Sequence, residues 1–125
     1  MQYPILIPNV FNHPFTYESD KILKIGTYVK VSFGKNNLTG VVWSSFEKKN
    51  KKIFKLKKIK SIIDIVPLKI ETVNFLNWFS NYNLVPLGMC LKLHLLSGEA
   101  ITKFDDKQYQ IFCRQLTHRI LWHLL

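Results

Sequence analysis

Apolar and polar residues follow one period in the first half of the chain and another in the second. From Tyr28 to Phe33, Val29, Val31 and Phe33 alternate with Tyr28, Lys30 and Ser32. That is the two-residue period of a strand with one buried face. A partner strand is expected from about Gly40 to Phe46, with Asn36 and Asn37 supporting the turn, since asparagine tolerates left-handed backbone. Tyr3 to Ile7, ended by Pro8, predicts a first strand. Phe15-Thr16-Tyr17 predicts a second, after the turn signal Asn12-His13-Pro14. Glu18 to Ile25 is polar and reads as loop. Ile53 to Val66 is β-branched, alternates over Ile59, Ser61, Ile63 and Ile65, and predicts one or two further strands before Pro67. Five or six short strands with no helix between them imply a mainly β fold, a small curled sheet or β-barrel-like domain.

The period then lengthens. Ile70, Val73, Leu76, Trp78 and Phe79 recur at helical spacing and predict a helix from about Lys69 to Tyr82. Pro86 suits the first position of a second helix reaching about Leu96, with Met89, Leu93 and Leu96 on one face. A helical hairpin is therefore expected to follow the β part and pack on it. The expected organisation is one domain over residues 1–98, with its β part at about 1–67 and its hairpin at about 68–98. Residues 99–125 then read as a linker and the truncated start of a following domain, in which Gln115 to Leu125 has a helical pattern.

Composition adds a partner class. The chain has 125 residues, 47% of them hydrophobic, which supports a real core. Its formal net charge is +10, from 18 Lys and Arg against 8 Asp and Glu. Such an excess favours a polyanion, either nucleic acid or an anionic membrane. Lys48, Lys49, Lys51, Lys52, Lys55, Lys57, Lys58 and Lys60 concentrate it in one stretch, while the arginines are Arg114 and Arg119. Lysine is a point charge suited to phosphate, whereas arginine forks read guanine edges. The run, with Lys51, Lys52, Lys57 and Lys58 at its centre, therefore reads as a phosphate-attracting flank.

Several function classes lack their residues. The sequence has no GxxxxGKS phosphate loop, no HExxH and no GxSxG. Cys90 and Cys113 are far apart and form no CxxC, so no metal site and no cofactor are expected, and a reduced, cytoplasmic setting fits best. Cys113 near His118 is a weak nucleophile–base coincidence, and His94 lies in an apolar stretch and reads as packed. No catalytic residue is assigned, and an enzyme within these residues is not expected. The N-terminus has no basic region ahead of its short apolar run, and no apolar run reaches the length of a membrane span.

Binding remains. Phe15, Tyr17, Tyr28, Phe33 and Trp43 lie among basic strands, and exposed rings among lysines make a stacking platform. Alternation, however, assigns Phe33 and Trp43 to the core. Phe15 and Tyr17 share a face with Thr16 opposite, so either the rings pack and Thr16 meets ligand, or the reverse. Phe33-Gly34-Lys35 sets a ring, a bare backbone and a cation at one turn; the plain alternative is an ordinary hairpin with a solvated lysine.

Taken in order, these residues resemble the N-terminal DNA-binding domain of the PriA family, the bacterial primosomal replication-restart helicases. That family has an F-D-Y-like triplet, a G-x-x-V-x-V-x-F-G-K segment, a G-x-V strand, a lysine-bearing strand, and a helix pair with W-x-x-x-Y and P-[IL]-G. Here stand Phe15-Thr16-Tyr17, then Gly26, Val29, Val31, Phe33, Gly34 and Lys35, then Gly40, Val41 and Val42. Ile59-Lys60-Ser61-Ile62 follows, then Trp78, Tyr82, Pro86, Leu87 and Gly88. The likeness covers roughly residues 2–98. It implies a β-barrel-like domain that captures the 3′-terminal nucleotide of a nascent strand at a stalled fork. The implied binding residues are Phe15, Thr16, Tyr17, Gly34, Lys35 and Lys60. The implied partners are single-stranded 3′ ends and forked DNA, single-stranded-DNA-binding protein and other primosome proteins.

The chain departs from the family at Thr16, where the family has an acid; a hydroxyl accepts without a full charge, and charge-assisted bonds are roughly twice as strong. It also lacks the helicase motifs and zinc-binding cysteines of the full-length family proteins. Two other readings of the same residues are a generic RNA- or single-strand-binding basic barrel without a terminal pocket, and a protein-interaction domain with a basic patch.

Overall fold

The computed structural model describes residues 1–44 and 55–96. Strands β1 (Gln2–Leu6), β2 (Phe15–Glu18), β3 (Tyr28–Phe33), β4 (Asn36–Val42) and β5 (Ser61–Ile62) are followed by helices α1 (Ile70–Asn83) and α2 (Leu87–His94). The strands form one sheet in the order β2-β1-β4-β3-β5, each paired antiparallel to its neighbours. The mainly β architecture with a helical hairpin is thus the one the pattern predicts.

The sheet curls until its two edges meet. The segment leading into β5 lies between the β2 and β3 edges, and its successive N–H groups point in opposite directions. Ile59 N–H donates to the Glu18 carbonyl at 3.0 Å, while Lys60 N–H donates to the Lys30 carbonyl at 2.9 Å. Glu18 N–H returns to the Lys57 carbonyl at 3.0 Å, and Glu18 and Lys58 form a parallel bridge. Backbone groups that an open sheet would leave bare are thereby paired.

Alternation separates two cores. Inside the barrel lie Ile5, Ile7, Tyr17, Val29, Val31 and Val42, with Phe15, Phe33, Leu38 and Ile59 packed against them. Tyr17 reaches across to β3, its hydroxyl donating to the Ser32 carbonyl at 3.0 Å. Residues of opposite parity, Leu6, Tyr28, Val41 and Trp43, face outward and are covered by Val73 and Leu76 of α1 and Leu87, Cys90 and Leu91 of α2. Trp43 Nε1–H donates to Asn77 Oδ1 at 3.1 Å, so the indole is buried with its polar atom satisfied.

The structure corrects several expectations. Phe33 pairs with Asn36, so the turn is Gly34–Lys35, and Asn36 and Asn37 already belong to β4. Gly34 has φ +60° and is the one tip residue with positive φ, as a two-residue turn with glycine first requires. The twist of the hairpin selects glycine here ahead of the asparagines. Glu18 belongs to β2 rather than to a loop, because the closing segment pairs with it. Among the described residues, the β-branched stretch yields only the short strand β5; Ile53, Phe54 and the expected end of β4 at Phe46 lie outside them.

The helices bury narrower faces than their apolar residues suggested. Ile70 and Trp78 of α1 are exposed, as are Leu93 and Leu96, since contact with the sheet runs through Val73 and Leu76 and through Leu87, Cys90 and Leu91. His94, expected to be packed, is exposed at the end of α2. Expectations for residues 99–125 lie outside the described residues.

Two outcomes follow from this packing. Leu91→Ala, at a fully buried site, is expected to cost about 2–5 kcal/mol in urea denaturation, whereas Leu93→Ala is expected to stay within about 0.5 kcal/mol. Burial raises the pKa of Tyr17 above the ordinary tyrosine value of 10.0. Folding thus favours the neutral phenol, and this contribution is complete below pH 10.0 and lost as pH rises through the raised value. Tyr17→Phe is therefore expected to cost about 1 kcal/mol at neutral pH through the lost hydrogen bond. The deficit should shrink in denaturation measured above pH 10.0.

Candidate nucleic-acid interface

The β3–β4 hairpin ends in an open tip. Its strands run out at Phe33 and Asn36, leaving Gly34 and Lys35 exposed. Among the described residues, its two chain neighbours aside, nothing lies within 4 Å of where a Gly34 β-carbon would stand, so the backbone is open on that side. The ammonium of Lys35 sits next to that bare backbone in sequence, and the hairpin from Tyr28 to Val42 contains Lys30 and Lys35 but no carboxylate.

Other elements bring several of the sequence-predicted residues to this end. Phe15 of β2 is half-buried, with its ring centroid 5.1 Å from that of Phe33 in an edge-on arrangement. Tyr17 is only 4% exposed and serves the barrel interior through Ser32, so its ring is no free stacking surface. Lys60 enters from the closing segment, and its Nζ donates to Asn37 Oδ1 at 2.6 Å. Asn37 pairs with Ser32, next to Phe33. An ammonium has three donors, so this bond leaves Lys60 others for a phosphate oxygen.

Thr16 has a different aspect. It lies between Phe15 and Tyr17, paired with Pro4 of β1, and is half-buried. Since both neighbours point into the barrel, Thr16 points outward. Of the two orientations the sequence left open, the rings pack inward and Thr16 faces out.

The flank is split. Lys57 and Lys58 are exposed, and Lys58 Nζ lies 3.7 Å from Asp20 with both side chains largely in solvent, a pairing worth little. Lys51 and Lys52 lie outside the described residues.

Sequence reasoning missed the loop between β1 and β2. Phe11 and His13 add two rings to the pair formed by Phe15 and Phe33. The Phe11 centroid is 5.5 Å from Phe15 and 6.2 Å from Phe33, and that of His13 is 4.8 Å from Phe15. Asn12, read only as a turn residue, accepts from Leu87 N–H at 2.9 Å, and its Oδ1 lies 3.4 Å from Ser80 Oγ, whose one proton is directed chiefly at the Val85 carbonyl, 2.6 Å away. A bond spanning that much sequence leaves no local periodic signal.

Among the described residues, no group of three or more histidine, cysteine or acidic side chains is placed to hold a metal. Cys90 is buried, and burial pushes its thiol pKa up, partly opposed by a hydrogen bond with Ser80, which is the reverse of nucleophile activation. Cys113 and His118 lie outside the described residues. Among the described residues, no helix is long and apolar enough to cross a membrane.

Comparison with known proteins matches this arrangement to a family. A family model described as the 3′ DNA-binding domain (3′BD) of PriA matches residues 4–95. The chain is 30% identical over 110 residues to the replication restart protein PriA of Rickettsia typhi, covering 86% of this chain and 17% of that protein. It is 35% identical over 97 residues to the PriA of Rickettsia conorii, covering 73% of this chain and 14% of the relative. The chain thus spans less than a fifth of the length of these relatives. Match and topology extend over the same barrel and helix pair, and the chain belongs to the family of PriA 3′ DNA-binding domains.

Proposed function

We propose that this chain binds the 3′ end of a DNA strand at the tip of the β3–β4 hairpin, as a module of replication restart. The carrying observation is the convergence at that tip, within the span matched by the family, of Phe15 against Phe33 and of Lys60 against Asn37. In this reading the open backbone at Gly34 meets the terminal nucleotide at close range. Lys35 and Lys60 hold its neighbouring phosphates as point charges, and Phe15 forms the apolar floor. Thr16 supplies a neutral acceptor for the terminal hydroxyl where the family uses an acid. The reading assigns Tyr17 a supporting role, because its bond to Ser32 fixes β2 against β3 beneath the tip. The lysine run raises the local concentration of DNA without reading its end.

The module itself performs no chemistry in this proposal; strand separation driven by ATP belongs to other parts of the full-length family proteins. Forked DNA, single-stranded-DNA-binding protein and other primosome proteins are carried over as partners, and the bacterial cytoplasm as the setting.

The test is titration with oligonucleotides ending in 3′-OH, 3′-phosphate or a 5′ overhang. A preference for 3′-OH is expected, with each phosphate contact adding about 0.7 to the log–log salt slope on single strands. Lys60→Ala should weaken binding more than Lys49→Ala, and Thr16→Asp should widen the gap between free and blocked 3′ ends. Indifference to the end in both wild type and Thr16→Asp would leave a basic barrel without a terminal pocket. Absence of binding at low salt would favour an acidic protein partner.

A further inference from the structure

Two of the four rings at the tip have no role in the reading above. Phe15 and Phe33 pack against the barrel interior, whereas Phe11 is 43% exposed and His13 is exposed. Both stand on the loop between β1 and β2, and both lie against Phe15. Exposed rings on a slack loop would be unremarkable, but this loop is held. Phe11 N–H donates to Asn9 Oδ1 at 3.0 Å, and its carbonyl accepts from Gly88 N–H at 3.0 Å. Asn12 is tied to Leu87 and lies against Ser80.

The seat for the loop depends on Gly88. A β-carbon there would come within 2.5 Å of the Asn9 carbonyl and 2.8 Å of the Ile7 carbonyl. The loop that carries the two rings is thus held by its own bonds and by its seat on α2, and a surface ordered in advance loses less entropy on binding.

Charge selects the occupant. The rings adjoin a hairpin that carries Lys30 and Lys35 and no carboxylate, with Lys60 leaning onto Asn37. A nucleobase with its phosphate satisfies ring and ammonium together. Among the described residues, the other exposed Phe, Tyr and Trp rings are Phe75, Trp78 and Tyr82, which stand on a helix with Glu71 and no lysine or arginine, where nothing on the helix would hold a phosphate.

We propose that Phe11 and His13 form a stacking platform for a nucleobase next to the terminal one, on the strand whose 3′ end lies at Gly34–Lys35. This rests on the 3′-end reading. The platform extends the contact inward along the strand and gives the helical hairpin a binding role, since α2 seats the loop.

The test uses single-stranded DNA with a free 3′-OH and 2-aminopurine placed in turn at the terminal, second and third positions. Fluorescence is expected to change at the second or third position with the wild-type chain. Phe11→Leu, which keeps apolar bulk but removes the ring, should abolish that change and weaken binding roughly tenfold. Phe11→Trp should restore both, and His13→Ala should reduce them. The preference for 3′-OH over 3′-phosphate should survive in every variant. Unchanged fluorescence and affinity in Phe11→Leu and His13→Ala, with the end preference intact, would overturn the platform and leave the 3′-end reading standing. Binding by no strand at all would overturn both.

Discussion

The structure depends on one strand segment that pairs on both sides. Residues 57–62 lie between β2 and β3, and without them each of those strands would present an open edge. Ile59 and Lys60 turn adjacent N–H groups toward opposite neighbours, so two consecutive bonds fix the segment in register. That register decides where Lys60 stands. Shifting it by one residue would exchange inward and outward side chains, putting the ammonium into the barrel and Ile59 into water. In the register observed, Ile59 packs inside and Lys60 Nζ reaches Asn37. A structural constraint, the satisfaction of sheet edges, thus positions a charge at the hairpin tip.

The outer face of the barrel imposes a second constraint. Leu6, Tyr28, Val41 and Trp43 need cover, and α1 and α2 provide it. The same two helices seat the loop between β1 and β2 through Asn12, Phe11 and Gly88. Barrel closure positions the cations and helix packing positions the loop rings, and both devices converge on the end of the hairpin where Gly34 is open. A tip formed by two residues alone would have little to hold a ligand; here it is framed from β2, from the closing segment and from the helix pair.

Much of this was legible in the sequence, and the failures have physical causes. Val29, Val31 and Phe33 alternate cleanly because they line the barrel, while the opposite face of β3 carries exposed Lys30 and a Tyr28 covered by the helices, which the alternation alone does not reveal. The turn reads as longer in the sequence than it is, because asparagine and glycine both suit left-handed backbone, and only the paired register confines it to Gly34–Lys35 and gives Asn36 and Asn37 to β4. Alternation over Ile59, Ser61 and Ile63 announced a strand, but no local pattern can announce that a strand pairs on two sides. The helices were found while their buried faces were drawn too wide, since Trp78 and Leu93 have the spacing of core residues and lie beyond the reach of the sheet. At the site, the sequence names Phe15, Thr16, Tyr17, Gly34, Lys35 and Lys60 as an ordered set; the structure brings Phe15 and Lys60 to the hairpin end that carries Gly34 and Lys35, buries Tyr17 in the barrel and turns Thr16 outward. Asn12 was invisible in its true role because its partner, Leu87, is remote in sequence.

The two-sided pairing is tested most directly by amide hydrogen exchange combined with backbone nuclear Overhauser contacts in the free protein. The amides of Glu18, Ile59 and Lys60 should be protected to the level of Val31 in the middle of the hairpin, with a cross-strand contact between Glu18 and Ile59. If those three amides exchange as fast as that of Lys35 at the exposed tip and the contact is absent, the barrel is not closed by this segment and Lys60 is not held where its proposed role requires it.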